Sequence, residues 1–347
     1  MNRVMREDHR AAAPVRHEPG AQYRLDLLQN PYGPPEAVLD VLSRPGLVSR
    51  PAQLLADELK VRLARLAGVS SDWVVLANGI DDLHAMIAEW RRDRGPLVTF
   101  PPTDPGMEVW IARHASQFER IARGRKFDLP SAARDLRLPV GATAIVMSPN
   151  DPTGTVLTVP EAVRLTRQTA ITVIDERHAA YSPRTLLPLV REFENIVLLQ
   201  TFETWAALDA FPLAWAIAPP RLAKEIAAQA RPSGVAAVSL VTAIAALDNL
   251  GDIQRTVRRV MIEKGRLYRQ IRKMNMISPP FASWANFLLC RFERGSAAFF
   301  VPRLAARGVI VATVDHPRLA DHVRISAVSA EATNALKTAL VDIALEL

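Results

Sequence analysis

Four acids and one histidine stand where chemistry would gather in this chain. Asp104, Asp151, Asp175 and Glu203 each lie at or just past the end of an apolar run, and His178 follows Asp175 closely. Carboxylates that converge cannot all stay ionised without a cation. Such a group would suit a cationic ligand, an amine or guanidinium compound, or a divalent metal held through Asp and His. The plain alternative is a solvated or collapsed pocket with the acids at the surface. Asn78-Gly79 ends another apolar run and opens a helical pattern. Backbone N–H groups at such a start attract anions. Arg324 sits in a strand-like run near the C-terminus.

The elements that must position these residues alternate. Strand signals fall at Val74–Ala77, Leu97–Phe100, Ala144–Met147, Ile171–Asp175, Ile196–Gln200 and Ala214–Ala218. They are short continuous apolar runs, as in strands covered on both faces. Helical patterns fall at Ala52–Leu66, Asp81–Arg91 and Pro160–Arg167. This alternation predicts an α/β fold with a mostly parallel central sheet wrapped by helices. Ligands in such sheets sit beyond the carboxyl ends of the strands. The loops Asn78–Asp82, Pro101–Gly106, Ser148–Gly154, Asp175–His178 and Gln200–Thr204 are therefore the candidate site. After Pro232 the pattern becomes that of a smaller α+β unit, with helices at Val238–Leu250, Asp252–Met274 and Ala330–Leu345 and strands at Asn286–Phe292, Val309–Val314 and His322–Ile325. The expected division is a flexible arm at 1–22, a large α/β domain at 45–250, and a small domain from 23–44 plus 251–347.

The chain has 347 residues, 49% hydrophobic and 23% charged, enough for a large core. Net charge is +7, from 37 Arg and only 6 Lys against 36 acids, with the basic residues scattered. No basic patch or zinc motif accompanies the charge, so no nucleic-acid partner is expected. No apolar run approaches the roughly 20 residues needed to span a bilayer, so no membrane role is expected. The arm lacks the apolar stretch of a secretion signal. The single Cys290 reads as a buried structural thiol, and a cytoplasmic location is expected.

The loops also carry an ordered series: Asn30-Pro31-Tyr32-Gly33-Pro34, Asn78-Gly79, Ser148-Pro149-Asn150-Asp151-Pro152-Thr153-Gly154, Asp175-Glu176, Gln200-Thr201-Phe202 and Val323-Arg324-Ile325-Ser326. In this order, from about Leu25 to the C-terminus, the series resembles the class I/II aminotransferases dependent on pyridoxal 5'-phosphate (PLP). It is most similar to histidinol-phosphate aminotransferases and threonine-phosphate decarboxylases. The resemblance implies PLP fold type I and a homodimer with the site at the subunit interface. It implies that Asp175 pairs with the cofactor ring nitrogen and that Arg324, with Asn30 nearby, meets the substrate. Tyr32 would reach the neighbouring subunit's cofactor phosphate, and Asn78-Gly79 would turn into the phosphate-binding helix.

Other positions depart from that pattern. The Schiff-base lysine position holds Thr204, the phosphate-binding serine Glu203 and the phosphate-binding arginine Pro212. The ring-stacking tyrosine position holds Asp104, the asparagine on the ring hydroxyl Asp151, the tyrosine of the Asp-Glu-x-Tyr signature His178, and the small residue after Asn-Gly Ile80. Two positive charges are lost and three negative ones gained. A cofactor phosphate is itself near −1.5 to −2. One like-charge contact at 4 Å costs about 4 kcal/mol at an effective dielectric near 20. The changes together argue against PLP binding. The reading is a diverged aminotransferase-like protein that lacks conventional transamination and binds a small amino-acid-like or cationic ligand, with or without lysine-independent catalysis. The alternatives are a PLP-dependent aminotransferase or decarboxylase, and a non-catalytic partner of an active paralogue.

Overall fold

The computed structural model describes residues 22–44, 46, 49–130, 136–278 and 281–347. The expected arm lies outside these residues except for its last position. A two-residue strand β1 (Tyr23–Arg24) precedes the large sheet. That sheet has seven strands: β2 (Val74–Ala77), β3 (Leu97–Thr99), β4 (Phe118–Arg120), β5 (Thr143–Met147), β6 (Ile171–Asp175), β7 (Ile196–Thr201) and β8 (Ala214–Ile217). Their spatial order is β2-β8-β7-β6-β5-β3-β4. Only β8 runs antiparallel to its neighbours. The mostly parallel sheet expected from the alternation is present. The short edge strand β4, whose Glu119 and Arg120 are exposed, had no apolar run to announce it.

Helices connect and cover these strands: α1 (Glu36–Leu39), α2 (Ala52–Ala67), α3 (Ile80–Arg91), α4 (Pro105–His114), α5 (Val159–Thr166), α6 (Pro220–Ala227), α7 (Ala237–Asp248) and α8 (Leu250–Ile271). Alternate residues of each strand enter two separate cores. Val98, Val146, Ile174 and Leu198 face α2, α5 and α7. Leu97, Ile145, Val173 and Val197 face α3, α4 and α6. Burial on both faces is why the strands read as unbroken apolar runs. Helices α4 and α6 went unread, because each is short and starts at a proline that also reads as loop.

A second unit holds β9 (Phe287–Arg291), α9 (Ala297–Ala306), β10 (Val309–Ile310), β11 (Ala312–Thr313), β12 (His322–Ser326) and α10 (Ala330–Ala344). Strands β11, β12 and β9 form an antiparallel sheet, and β10 pairs with β1. The single strand expected at 309–314 is thus two, in different sheets. Leu25 joins the core of this unit, whereas Val38 and Val41 pack with the large sheet. Helix α8 ties the two together: Ile253, Val257 and Val260 enter the large core, and Leu267 and Ile271 the small one. Cys290 is fully buried, and burial pushes its thiol up. Among the described residues, no helix is long and apolar enough to cross a membrane.

Strand β3 leads outward to β4, while β5 leads through β6 and β7 in the other direction. The crevice where connections diverge therefore lies between the ends of β3 and β5, the expected ligand position in an open α/β sheet. Gly154 clamps the loop after β5 against the second unit. Its φ is +69°, the Trp284 N–H donates to its carbonyl at 2.8 Å, and an added Cβ would lie 2.3 Å from Ser283 Oγ and 2.9 Å from Ser283 Cα. Gly154→Ala should destabilise the protein by roughly 2–4 kcal/mol through backbone strain and overpacking. Urea unfolding checks this. An unchanged midpoint would mean that the loop is not clamped.

Candidate functional site

Asp175 closes β6 and is fully buried, so its carboxylate needs a partner. That partner is Arg177, two residues along. Its Nε and Nη2 donate to Asp175 Oδ2 at 2.9 and 2.6 Å, and its backbone N–H donates to Oδ1 at 3.0 Å. Nη1 reaches across to Asp104 Oδ2 at 2.9 Å. One guanidinium thus bridges acids from the β6 and β3 ends. Beneath it, the fully buried His84 of α3 places Nε2 3.2 Å from Asp175 Oδ2. Burial alone would raise the Asp175 carboxyl, but Arg177 and His84 overcome that and hold it well below the usual carboxylate range. Burial likewise works against the Arg177 charge, and Asp175 and Asp104 outweigh it and raise the group.

Asp104 also caps α4, its Oδ1 accepting the Gly106 N–H at 2.9 Å. Asp151, in the loop after β5, is buried and bonded to Arg324 Nη1. Arg324 comes from β12 and also donates to the Asp26 carbonyl at 2.7 Å. Each of these three acids has a cation supplied by the chain. Arg177 and Arg324 thus supply from within the chain the cation that converging carboxylates need. Among the described residues, no group of three or more His, Cys, Asp or Glu side chains is arranged to hold a metal ion.

Glu203 lies at the start of α3. Its Oε1 accepts the Ile80 N–H at 3.2 Å, and a Cβ on Gly79, whose φ is +86°, would lie 2.7 Å from the same oxygen. Burial pushes this carboxyl up to about 7, against the Arg177 charge and the Ile80 N–H. Asn78 holds the next turn, donating to the Gly234 carbonyl at 2.7 Å and accepting the Ala236 N–H at 3.2 Å. Thr204 donates its hydroxyl to the Arg177 carbonyl at 3.3 Å, and its own carbonyl accepts the Asn30 N–H at 2.8 Å. Asn30 donates its amide to Trp205 and Thr256, a structural tie beneath the β7 loop. His178 is buried with its ring edge-on to Phe287, and burial, then the Arg177 charge, lowers it to about 3. It is neutral near pH 7.

Tyr32 is placed apart from these groups, buried in the large core with the Arg259 guanidinium 4.1 Å from its ring centre. The structure thus brings together Asp104, Asp175, His178, Glu203 and Thr204 around Arg177, and Asp151 with Arg324 beside them. Arg177 and His84 were missed by sequence reading. Arg177 occupies the variable position of the Asp-Glu-x-Tyr pattern, and its signal was an arginine two residues beyond a strand-end aspartate. His84 is hidden among the apolar residues of a buried helix.

The cofactor implied by the sequence resemblance would need an amine, a free carboxylate on its ring nitrogen, and open donors for its phosphate. Thr204 supplies no amine. Among the six lysines, Lys264 donates to the carbonyls of Ser283 and Ala285, Lys60 is half-buried on α2, and Lys126, Lys224, Lys273 and Lys337 are exposed. Asp175 is bonded to Arg177, and the Ile80 N–H to Glu203. The residues present do not fit the group. What remains open is a cavity of about 260 Å³ between the loops after β3 and β5 and the β11 region, bordered by Asp104, Glu108, Asp151, Asp315, His316 and Arg324. A larger open groove of about 650 Å³ lies elsewhere, lined by Arg125, Phe127, Arg291 and Arg318 among others.

Arg177→Met should strand the Asp175 charge and cost about 3–5 kcal/mol, and adding Asp175→Asn should recover most of that loss. A urea double-mutant cycle checks both, and additive losses would refute the pairing. Glu203 supplies a second expectation. Because its folded value is raised, its contribution to stability is full below the ordinary value of 4.5 and is lost as pH rises through about 7. The Tm of Glu203→Gln relative to the unaltered chain should therefore climb between pH 5 and 8 and then level. A flat difference would place the carboxyl in water.

Residues 29–342 match the family model for aminotransferase class I and II. A histidinol-phosphate aminotransferase of Roseiflexus castenholzii is 28% identical over 335 residues, covering 92% of this chain and 89% of that protein. Among solved structures, the histidinol-phosphate aminotransferase of Clostridium acetobutylicum superposes with a TM-score of 0.84 at 16% identity, covering 93% of this chain and 99% of the other. The L-threonine-O-3-phosphate decarboxylase of Porphyromonas gingivalis gives 0.79 at 16% identity, with the same coverage.

Proposed function

Because this chain belongs to the aminotransferase class I and II family and has the PLP fold type I architecture, we propose that it keeps the family's small-molecule cleft without lysine-linked amino transfer. The observation that carries this reading is the Arg177 guanidinium bonded to both Asp175 and Asp104, beside a threonine at residue 204. The proposed ligand is small, cationic and amino-acid-like. Four carboxylates border the remaining cavity, of which Asp104 is bonded to Arg177 and Asp151 to Arg324. Its volume suits a compact amine better than a drug-sized molecule. Arg324 stands at its edge for a ligand carboxylate, with Asp151 as the group such a carboxylate would displace.

The second reading is a PLP-dependent aminotransferase. It is favoured by an aminotransferase-like similarity over most of the chain and by the names of the relatives. Fold likeness alone does not transfer activity when site residues differ. Purification with added PLP separates the two readings. After removal of free PLP, the first expects no stoichiometric absorbance at about 400 nm and no borohydride-trapped adduct at a single cleft lysine, since a site-bound lysine Schiff base supplies both. A trapped adduct would establish the second. For the ligand, arginine or putrescine at about 100 times Kd should raise stability by about 2.7 kcal/mol. Asp315→Asn should weaken that effect, and no Tm shift with any basic amino acid or polyamine would remove the cationic ligand.

A further inference from the structure

We infer that Glu203 and Arg177 are specificity-determining residues that fill, from within the chain, the two charged ends of a bipolar cleft, and so exclude ligands that would set an anionic group on the start of α3 and a flat cation on Asp175. This rests on the reading of the site given above. The anionic end is the start of α3. Free backbone N–H groups at such a start attract anions, and the first of them, Ile80 N–H, is taken by Glu203 at 3.2 Å, while just before the helix the Asn78 N–H is taken by Asp82 at 3.1 Å. The Glu203 carboxylate lies flush on the Gly79 backbone, and Pro212 closes the other side, 3.1 Å from where a Gly79 Cβ would stand. The space over the turn is filled, and once ionised, above about pH 7, the carboxylate that fills it also repels a second anion.

The cationic end is Asp175. A planar guanidinium lies against it with two donors and stretches to Asp104 with a third, so a cation of the chain already stands against this carboxylate. The two ends are joined: Thr204, next to Glu203, bonds the Arg177 carbonyl, and the Arg177 charge acts on the Glu203 carboxyl. A protein that had only lost its lysine would keep both ends open. Here exclusion comes from occupancy, and restoring an amine alone would not reverse it.

The experiment adds the amine and then empties the ends. Thr204→Lys is compared with Thr204→Lys carrying Glu203→Ser and Arg177→Ala, each titrated with PLP and with pyridoxal. The readout is absorbance at about 400 nm, followed by borohydride trapping and mass measurement at residue 204. The lysine amine condenses with the aldehyde and releases water. The triple variant should form the adduct at PLP concentrations about 100-fold lower than the single variant, a difference worth about 2.7 kcal/mol. Most of that gain should vanish with pyridoxal, which lacks the phosphate. Equal titrations of the single and triple variants would overturn the inference, as would a folded triple variant that forms no adduct.

Glu203→Ser alone keeps the Asp175–Arg177 pair. It should gain thermal stabilisation by inorganic phosphate that the unaltered chain lacks, and no gain overturns the anionic half even if the triple variant fails to fold. An adduct on the unaltered chain would instead refute the proposed function.

Discussion

A carboxylate buried at the end of a central strand imposes a condition on everything around it. Asp175 has no exposed surface, and an uncompensated charge there would cost several kcal/mol. The Arg177 guanidinium removes that cost with two donors on one acid and a third on Asp104. The loop after β6 must therefore turn back over its own strand, and α4 must begin where Asp104 can both cap it and meet the arginine. Thr204 is drawn in through the Arg177 carbonyl. The charge of the whole cleft follows from this one contact.

The same logic extends outward. Asp151 and Arg324 join the β5 loop to the second unit, close to the Gly154–Ser283 clamp. Glu203 lacks an arginine bonded to it and rests on the start of α3, and its burial raises the carboxyl to about 7 although the Ile80 N–H acts the other way. Three acids are thus satisfied by opposite charge, and one by a single helix N–H and a raised proton affinity.

Family membership and site chemistry separate cleanly in this chain. The architecture of its relatives persists across most of its length, because alternating strands and helices with two apolar cores tolerate extensive substitution. The cleft is less tolerant. There the Arg177 guanidinium lies on Asp175 and Glu203 lies on the Ile80 N–H. Asp104, Asp175, Glu203, Thr204 and Arg177 form one hydrogen-bonded and electrostatic arrangement.

The fold class was legible from residues alone, because strands buried on both faces must be continuous apolar runs, and those runs mark β2, β5, β6 and β7 nearly to the residue. The strand-end loops were legible for the same reason, and with them the acids at 104, 151, 175 and 203. Short elements were not: β4 has a polar, exposed sequence, and α4 and α6 begin at prolines. Nor was the charge balance of the site. Local sequence shows that carboxylates gather at one end of the sheet, but not which cations reach them. Arg324 lies 173 positions from Asp151, and Arg177 bridges to Asp104 across 73. Coulomb interactions depend on distance in space, so only the tertiary structure decided that this acidic cleft carries its own counter-ions.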